Sequence, residues 1–99
     1  MIEEWKNLRE QVPEGALLLI RQGDFFVMCN DDAVLASITL RHVPVFRNGD
    51  VIKMGIPAHA QGYYLEKLLQ DFEVYAADYP EDFDYVLGQP APPRTLRKI

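Results

Sequence analysis

The stretch Arg21-Gln22-Gly23-Asp24-Phe25-Phe26-Val27-Met28 joins two apolar segments through a tight Gly-Asp turn. A continuous apolar run, Ala16–Ile20, precedes it and has the length of a strand covered on both faces. Because the connection between the two segments is so short, we predict that they pair as antiparallel strands. Side chains alternate between the two faces of a strand, so Phe25 and Val27 are expected on one face and Phe26 on the other.

Helical spacing of apolar residues marks three further segments of the chain. They are residues 3–12, a segment that begins at Asn30 or Asp31 and runs to about Leu40, and residues 58–70. For the second of these helices, the pattern predicts an apolar side made of Ala33, Val34, Leu35 and Ile38. The two acidic residues of its first turn suit the positive end of the helix dipole.

A hairpin and one more strand complete the pattern. Asn48-Gly49 lies between apolar segments at 43–46 and 51–54, and Asn-Gly is a strong hairpin signal because both residues tolerate positive φ. Residues 73–77 have the composition of a strand. We therefore predict an α/β (α+β) fold, a mixed β-sheet surrounded by helices in the order α-β-β-α-β-β-α-β.

Length and composition limit what the chain can be. Ninety-nine residues form one domain, which we place at 1–79, followed by an acidic and then proline-rich and basic tail at 80–99. No apolar run is long enough to span a bilayer. With no leader-like segment and a lone Cys29, expected to be a buried apolar residue, we predict a cytoplasmic location. The net charge of −5 argues against DNA binding by electrostatics alone.

Four separate stretches carry a family resemblance. They are residues 18–28 around Gly23-Asp24-Phe25, residues 31–33 with Ala36 and Leu40, residues 54–60 (Met-Gly-Ile-Pro-Ala-His-Ala) and residues 64–69 (Tyr-Leu-Glu-Lys-Leu-Leu). In this order and at this spacing they resemble the N-terminal mismatch-recognition domain, domain I, of the MutS family of DNA mismatch-repair proteins. The resemblance implies the fold of that domain, and it implies that Phe25 corresponds to the phenylalanine that wedges beside a mispaired base.

The chain also departs from the family pattern. Where the family has a glutamate that hydrogen-bonds the mispaired base, this sequence has Val27, which offers no hydrogen bond. The segment 75–79 lacks the family's Cys-Glu-Gln. The resemblance therefore implies a DNA-binding site at Gly23, Asp24, Phe25 and Val27 without its polar contact. Two further residues of the matched segments, His59 and Met54, are expected to be structural, with His59 bonding the backbone near a helix start.

Enzymatic chemistry has no support in the sequence. Neither His42 nor His59 has metal-ligand spacing around it, Ser37 lies in a predicted helix, and no phosphate-binding Gly-x-x-x-x-Gly-Lys-Ser/Thr loop is present. We therefore expect no ATP, no metal and no other cofactor.

Two functions remain open for this non-enzymatic chain. The first is a stand-alone mismatch-repair-like module that recognises mismatched or kinked double-stranded DNA through Phe25, weakly by itself and as part of an assembly. The second is a protein-interaction or homodimerisation scaffold that has lost mismatch recognition and uses an exposed Phe25/Val27 patch. In that second case Phe25 would be a core or interface aromatic residue. Solvent exposure of Phe25, taken together with the sign of the electrostatic potential around it, is the observation that separates these functions most directly.

Overall fold

Six strands form one mixed sheet in the part of the chain that the computed structural model describes, residues 2–79 and 92–99. The strands are β1 (Leu17–Gln22), β2 (Phe25–Cys29), β3 (Phe46–Asn48), β4 (Val51–Pro57), β5 (Val74–Asp78) and β6 (Thr95–Lys98). Their order across the sheet is β3-β4-β2-β1-β5-β6. The helices are α1 (Ile2–Arg9), α2 (Asn30–Thr39) and α3 (Gln61–Leu68), and a 3-10 turn at Ala58–Ala60 leads into α3. The predicted mixed sheet with helices on it is confirmed.

Strand β1 lies at the centre of the sheet, as its continuous apolar run predicts. It pairs antiparallel with β2 and parallel with β5. The side chains of residues 17–20 are at most 1% exposed, because helices cover both faces of the sheet at this position.

The two faces of the sheet are covered unequally. Helices α2 and α3 pack on one face, over a core that contains Phe26, Met28, Met54 and Ile56. Helix α1 packs on the other face through Trp5, over the part formed by β1, β5 and the end of β2. Phe25 and Phe46 are large exposed residues on that second face, so the half formed by β2, β3 and β4 is open to solvent.

Helix α2 faces the sheet with a different side from the one its sequence pattern predicts. Ala33, Ala36 and Leu40 are fully buried, whereas three residues of the predicted apolar side are exposed, namely Val34, Leu35 and Ile38. The reason is Asp32, whose buried carboxylate accepts a hydrogen bond of 3.0 Å from the backbone N–H of Leu18. This bond holds the Asp32 side of α2 against β1.

Helix α2 begins at Asn30, as predicted, but the pattern also indicated that Asn30 or Asp31 caps the helix, and neither does. No side chain caps the helix, and the residue before its first turn is Cys29. Asn30 has a positive φ of 52°, and its Oδ1 accepts a hydrogen bond from the N–H of Ile52 on β4. Asn30 therefore links two elements, a role that a local helix-start pattern cannot reveal.

The hairpin between β3 and β4 is confirmed, but it turns one residue later than the sequence suggested. Asn48 pairs with Val51, so Gly49 and Asp50 form the two-residue loop, and of these only Gly49 has positive φ, at 62°. Strand β3 begins at Phe46 and not at residue 43. Pro44, which lacks a backbone donor, is consistent with this later start.

Strand β6 was not predicted, because residues 94–98 were assigned to the tail. It pairs antiparallel with β5, with Ala76 opposite Arg97, and forms an edge of the sheet. The Arg94 guanidinium donates to the backbone oxygen of Arg21 at 2.9 and 3.1 Å and forms an ion pair with Glu4. The acidic and proline-dense stretch predicted for residues 80–91 lies outside the described residues.

Candidate nucleic-acid interface

The Gly-Asp turn places Phe25 at the rim of the sheet. Gln22 pairs with Phe25, so Gly23 and Asp24 form a two-residue loop, with Gly23 at a positive φ of 59°. Hydrogen bonds hold this loop at two points. The Arg21 Nε donates to the Gly23 carbonyl at 2.6 Å, and the Ala58 N–H donates to the Asp24 carbonyl at 2.8 Å. The first residue of β2 is thereby fixed at the end of the sheet.

The ring of Phe25 is half exposed, at 48%, and lies against Gly55 of the neighbouring strand. A Cβ built on Gly55 would meet Phe25 Cδ1 at 3.5 Å, an ordinary van der Waals contact, so the ring lies directly beside this position. Phe25 is therefore neither a core residue nor a freely projecting one. It is an aromatic ring supported from below by backbone.

Two surface cavities meet at Phe25. One of about 530 Å³ is lined by Arg21, Asp24, Phe25, Pro57, Ala58 and His59. The other, of about 430 Å³, is lined by Gln22, Phe25, Val27, Phe46, Lys53 and Gly55. The second cavity lies on the open half of the sheet, and we call it the Phe25–Phe46 groove.

Val27 does not form the exposed patch that the sequence suggested. It is 7% exposed and packs with the core beneath α1, so it supplies only part of the floor of the Phe25–Phe46 groove. On β2, the exposed aromatic surface comes from Phe25 alone. The predicted Phe25/Val27 patch is corrected to a single exposed ring beside a buried valine.

The other predicted site residues have different positions. Gly23 and Asp24 are exposed in the turn next to Phe25. His59 is exposed on the 3-10 turn and lines the cavity beside Phe25, and within the described residues its imidazole makes no hydrogen bond to the backbone. Met54 is fully buried between the sheet and α2 or α3, so it is a core residue.

Sequence reasoning missed three residues of the Phe25–Phe46 groove. Phe46, Lys53 and Gln22 belong to three different strands and reach the groove because Phe46 pairs with Lys53 and Gln22 pairs with Phe25. Alternation along β4 would place Lys53 and Gly55 on one face. The missing information was strand register, which sets the face of Phe46 relative to Phe25 and which the sequence pattern did not fix.

Charged groups surround Phe25 unevenly. Arg21 is engaged, because its guanidinium lies 3.7 Å from Asp78 and 5.5 Å from the ring centroid of Phe26. Asp24 places an exposed carboxylate beside the turn. Lys53 forms no ion pair with any residue of segments 2–79 and 92–99, so its ammonium is the uncompensated charge of the groove.

A buried ion pair links α1 and α2 to β1, the strand next to β2. Asp32 accepts from the Leu18 N–H, and Arg9 of α1 lies 3.1 Å from the same Asp32 oxygen. Burial raises the pKa of the Asp32 carboxyl, although the Leu18 N–H and Arg9 both favour its charged form. Burial likewise raises the pKa of the Cys29 thiol, which is consistent with an inert, buried side chain as predicted.

Residues 2–79 and 92–99 contain neither a cluster of metal-binding side chains nor a membrane-spanning helix. No group of three or more His, Cys, Asp or Glu side chains is positioned there to hold a metal ion. Within those same parts, no helix combines the length and the apolar character that crossing a membrane requires.

Comparison with known proteins identifies the family. The family model described as MutS domain I matches residues 1–84. The DNA mismatch repair protein MutS of Solibacter usitatus is 38% identical over 87 residues, which cover 83% of this chain and 10% of that protein. MutS of Cereibacter sphaeroides is 37% identical over 87 residues, and MutS of Chlorobium chlorochromatii is 35% identical over 83 residues. The chain spans about a tenth of the length of these relatives. The resemblance found in the sequence is confirmed, and the chain belongs to the MutS domain I family.

Proposed function

We propose that this domain is a non-enzymatic DNA-binding module of mismatch repair, and that it recognises mismatched or kinked duplexes by stacking Phe25 against a base. The single observation that carries the proposal is the half-exposed ring of Phe25 at the rim of the sheet. Membership of the MutS domain I family supports DNA as the ligand, since the relatives are named DNA mismatch repair proteins.

Stacking on Phe25 favours distorted DNA for a physical reason. Base–aromatic stacking contributes about 1 to 3 kcal/mol, and separating a mismatched step costs less than separating a paired one. The ring of Phe25 already lies against Gly55 in the free protein. Its side chain therefore loses little conformational freedom when it inserts into DNA. The free energy of stacking on Phe25 is therefore the same for both duplexes, but separating the base step costs less when the duplex is already distorted.

Val27 and the overall charge limit this binding. A buried valine supplies no hydrogen bond to a base edge, so polar discrimination must come from elsewhere. The net charge of −5 gives little phosphate neutralisation, and we therefore expect weak, salt-sensitive binding that becomes effective within a larger assembly.

A gel-shift titration at low salt tests the proposal. It compares a duplex carrying one G·T mismatch with the fully paired duplex of the same length, for the wild type, Phe25→Ala and Tyr63→Ala. Tyr63 is also an exposed aromatic residue, at 55%, but it lies on α3 at the opposite face of the sheet. We expect Phe25→Ala to lose the preference for the mismatch and Tyr63→Ala to keep it. Equal preference in the wild type and Phe25→Ala would reject the proposal.

A second candidate function is a protein interface on the same open half of the sheet. Phe46 is 63% exposed on the edge strand β3, near Phe25, and two exposed rings on one face are a feature of interaction surfaces. Sedimentation velocity with the wild type and Phe46→Ala separates the two functions. A homodimer that Phe46→Ala disrupts would favour the interface, and a monomer that prefers mismatched DNA would favour the first proposal.

A further inference from the structure

The side of helix α2 that faces away from the sheet carries three neighbouring apolar residues. Val34, Leu35 and Ile38 are all exposed, and Ile38 is the most exposed of them at 62%. Because Ile38 follows the other two by four and three positions, the three side chains are neighbours on the helix surface. We call them the α2 stripe. The buried side of the helix, which includes Ala33 and Ala36, points the other way.

An outer side of this kind is not typical of a helix at a protein surface. Surface helices normally present polar residues to solvent, and a helix that is apolar on all sides is normally covered on all sides. The α2 stripe also lies on the face of the sheet opposite to Phe25, so it is separate from the candidate nucleic-acid interface. It therefore has the character of a contact surface with a role of its own.

Charges of opposite sign stand at the two ends of the α2 stripe. Asp31 is exposed in the first turn of α2, and Arg41 is exposed just past the end of the helix. The Arg41 Nε donates to the Ile38 carbonyl at 3.3 Å, which keeps the guanidinium at that end. Among the described residues, neither Asp31 nor Arg41 has an ion-pair partner. The Asp71 carboxylate instead accepts a hydrogen bond from Thr39 at 2.9 Å.

A second copy of the chain, running antiparallel, matches this pattern at both ends. Asp31 and Arg41 are centred on position 36, and Val34 and Ile38 are centred on the same position. A twofold axis beside this position places Val34 of each copy opposite Ile38 of the other. The same axis places Asp31 opposite Arg41. A partner of another kind would have to present the same order of charges and apolar residues.

We propose that two copies of this domain associate through antiparallel contact of their α2 stripes, with reciprocal Asp31–Arg41 ion pairs at the two ends. Three apolar residues on each side are far fewer than the roughly 20 to 30 residues of a standard interface, so we expect a weak dimer with a Kd on the order of 0.1 mM. Both Phe25 rings stay accessible in this dimer, because they lie on the opposite faces of the two sheets. The inference goes beyond the proposed function and does not depend on it.

Sedimentation equilibrium of the whole chain, from about 10 μM to about 1 mM at low salt, tests the contact. We expect the wild type to dimerise with increasing concentration and Ile38→Lys to stay monomeric, because the lysine places a charge in the middle of the contact. Circular dichroism establishes that this surface variant is folded. Phe46→Ala is the matched control, since Phe46 is equally exposed at 63% but lies on the other face of the sheet, and it should dimerise like the wild type.

Three results of this experiment would overturn the proposal. They are a wild type that remains monomeric at the highest concentration, an Ile38→Lys variant that still dimerises, and a dimer that Phe46→Ala abolishes. The last result would place the contact on the open half of the sheet.

Charge reversal tests the antiparallel arrangement. Asp31→Arg and Arg41→Asp each replace two exposed ion pairs with two repulsions, and we expect each to raise the Kd roughly 2- to 30-fold. The double variant restores both pairs, so its Kd should return to the wild-type range. Both substitutions are unfavourable for the dipole of α2, so this recovery cannot come from a more stable helix. A double variant that dimerises no better than the single variants would contradict the arrangement.

Dimerisation and mismatch preference are measured separately. Ile38→Lys should keep the preference for the G·T-mismatched duplex, and Phe25→Ala should keep the dimer. If the wild type dimerises through α2 but shows no mismatch preference, the proposed function is wrong and this inference stands. If the wild type prefers the mismatch but stays monomeric, this inference is wrong and the proposed function stands.

Discussion

Asp32 shows how one buried polar side chain can determine the placement of a helix. Asp32 belongs to α2, and its carboxylate contacts the backbone N–H of Leu18 on β1 and the guanidinium of Arg9 on α1. Three elements are therefore joined through one side chain that is 3% exposed. The apolar pattern of α2 suggested a different inner face, because hydrophobicity alone cannot show that an aspartate is held inside by a specific N–H donor.

Removing this carboxylate should destabilise the protein strongly. Asp32→Ala leaves Arg9 without its carboxylate partner, with only backbone carbonyls as acceptors, and leaves the Leu18 N–H without its Asp32 acceptor. Breaking such a buried pair costs about 3 to 5 kcal/mol. Urea unfolding followed by circular dichroism measures this loss. A change below about 1 kcal/mol would show that the pair is not buried as the structure describes it.

The pH dependence of stability has a defined sign at Asp32. Burial raises the pKa of this carboxyl on folding, so the folded state keeps its proton at pH values where the unfolded chain has lost it. The resulting stabilisation is present below about pH 3.9, the unfolded value, and is lost as pH rises through the folded pKa. Unfolding free energies of the wild type and Asp32→Asn, measured over this window, should differ by an amount that changes with pH. A constant difference would contradict the raised pKa.

At the scale of the elements, the two-residue loop before β2 depends on the backbone freedom of Gly23. This residue has a φ of 59°, and no atom lies within 4 Å of a Cβ built on it. Gly23→Ala should therefore cost about 1 to 2 kcal/mol from backbone strain alone, without a steric clash. Gly23→Asn is the control, because asparagine tolerates positive φ and should cost less. Equal unfolding free energies for Gly23→Ala and the wild type would contradict the assigned conformation.

Strand β6 should contribute measurably to stability although its sequence pattern is weak. Leu96 and Ile99 pack on opposite faces of the sheet, and Arg94 bonds the backbone of β1. Removing residues 92–99 should therefore lower the free energy of unfolding by about 2 to 4 kcal/mol. Arg97→Ala, at an exposed edge position, should change it by less than about 0.5 kcal/mol. An unchanged denaturation midpoint after truncation would show that β6 is not part of the folded sheet.

The elements differ in how far the sequence could predict them. Strands β1 and β2 were predictable because a buried apolar run and a Gly-Asp turn are local signals. Strand β6 was not, since only Leu96 of its four residues is partly buried. The strand is held by Arg94, which bonds the backbone of Arg21, 73 positions earlier in the chain. The exposure of Phe25 and the burial of Val27 also depend on how α1 lies across the sheet. Residue types alone do not determine that placement.

For the whole molecule, the fold is that of MutS domain I, and Val27 stands where the resemblance places a glutamate. The family resemblance correctly gave a mixed sheet with helices. The sequence left the exposure of Phe25 open, and the structure shows it to be half exposed. The resemblance could not give the Phe25–Phe46 groove, because that groove is assembled from three strands whose register only the structure provides. The chain is acidic, and Lys53 forms no ion pair within residues 2–79 and 92–99, so binding is expected to depend on stacking more than on phosphate contacts.

The central claim is that the aromatic face of Phe25 recognises distorted DNA, and Phe25→Leu tests it most directly. Leucine keeps an apolar side chain at position 25 but removes the stacking face. The measured quantity is the ratio of dissociation constants for paired and G·T-mismatched duplexes at low salt. We predict that this ratio falls to about 1 in Phe25→Leu and persists in Phe25→Tyr, which retains a ring. A wild-type ratio retained in Phe25→Leu would contradict the claim.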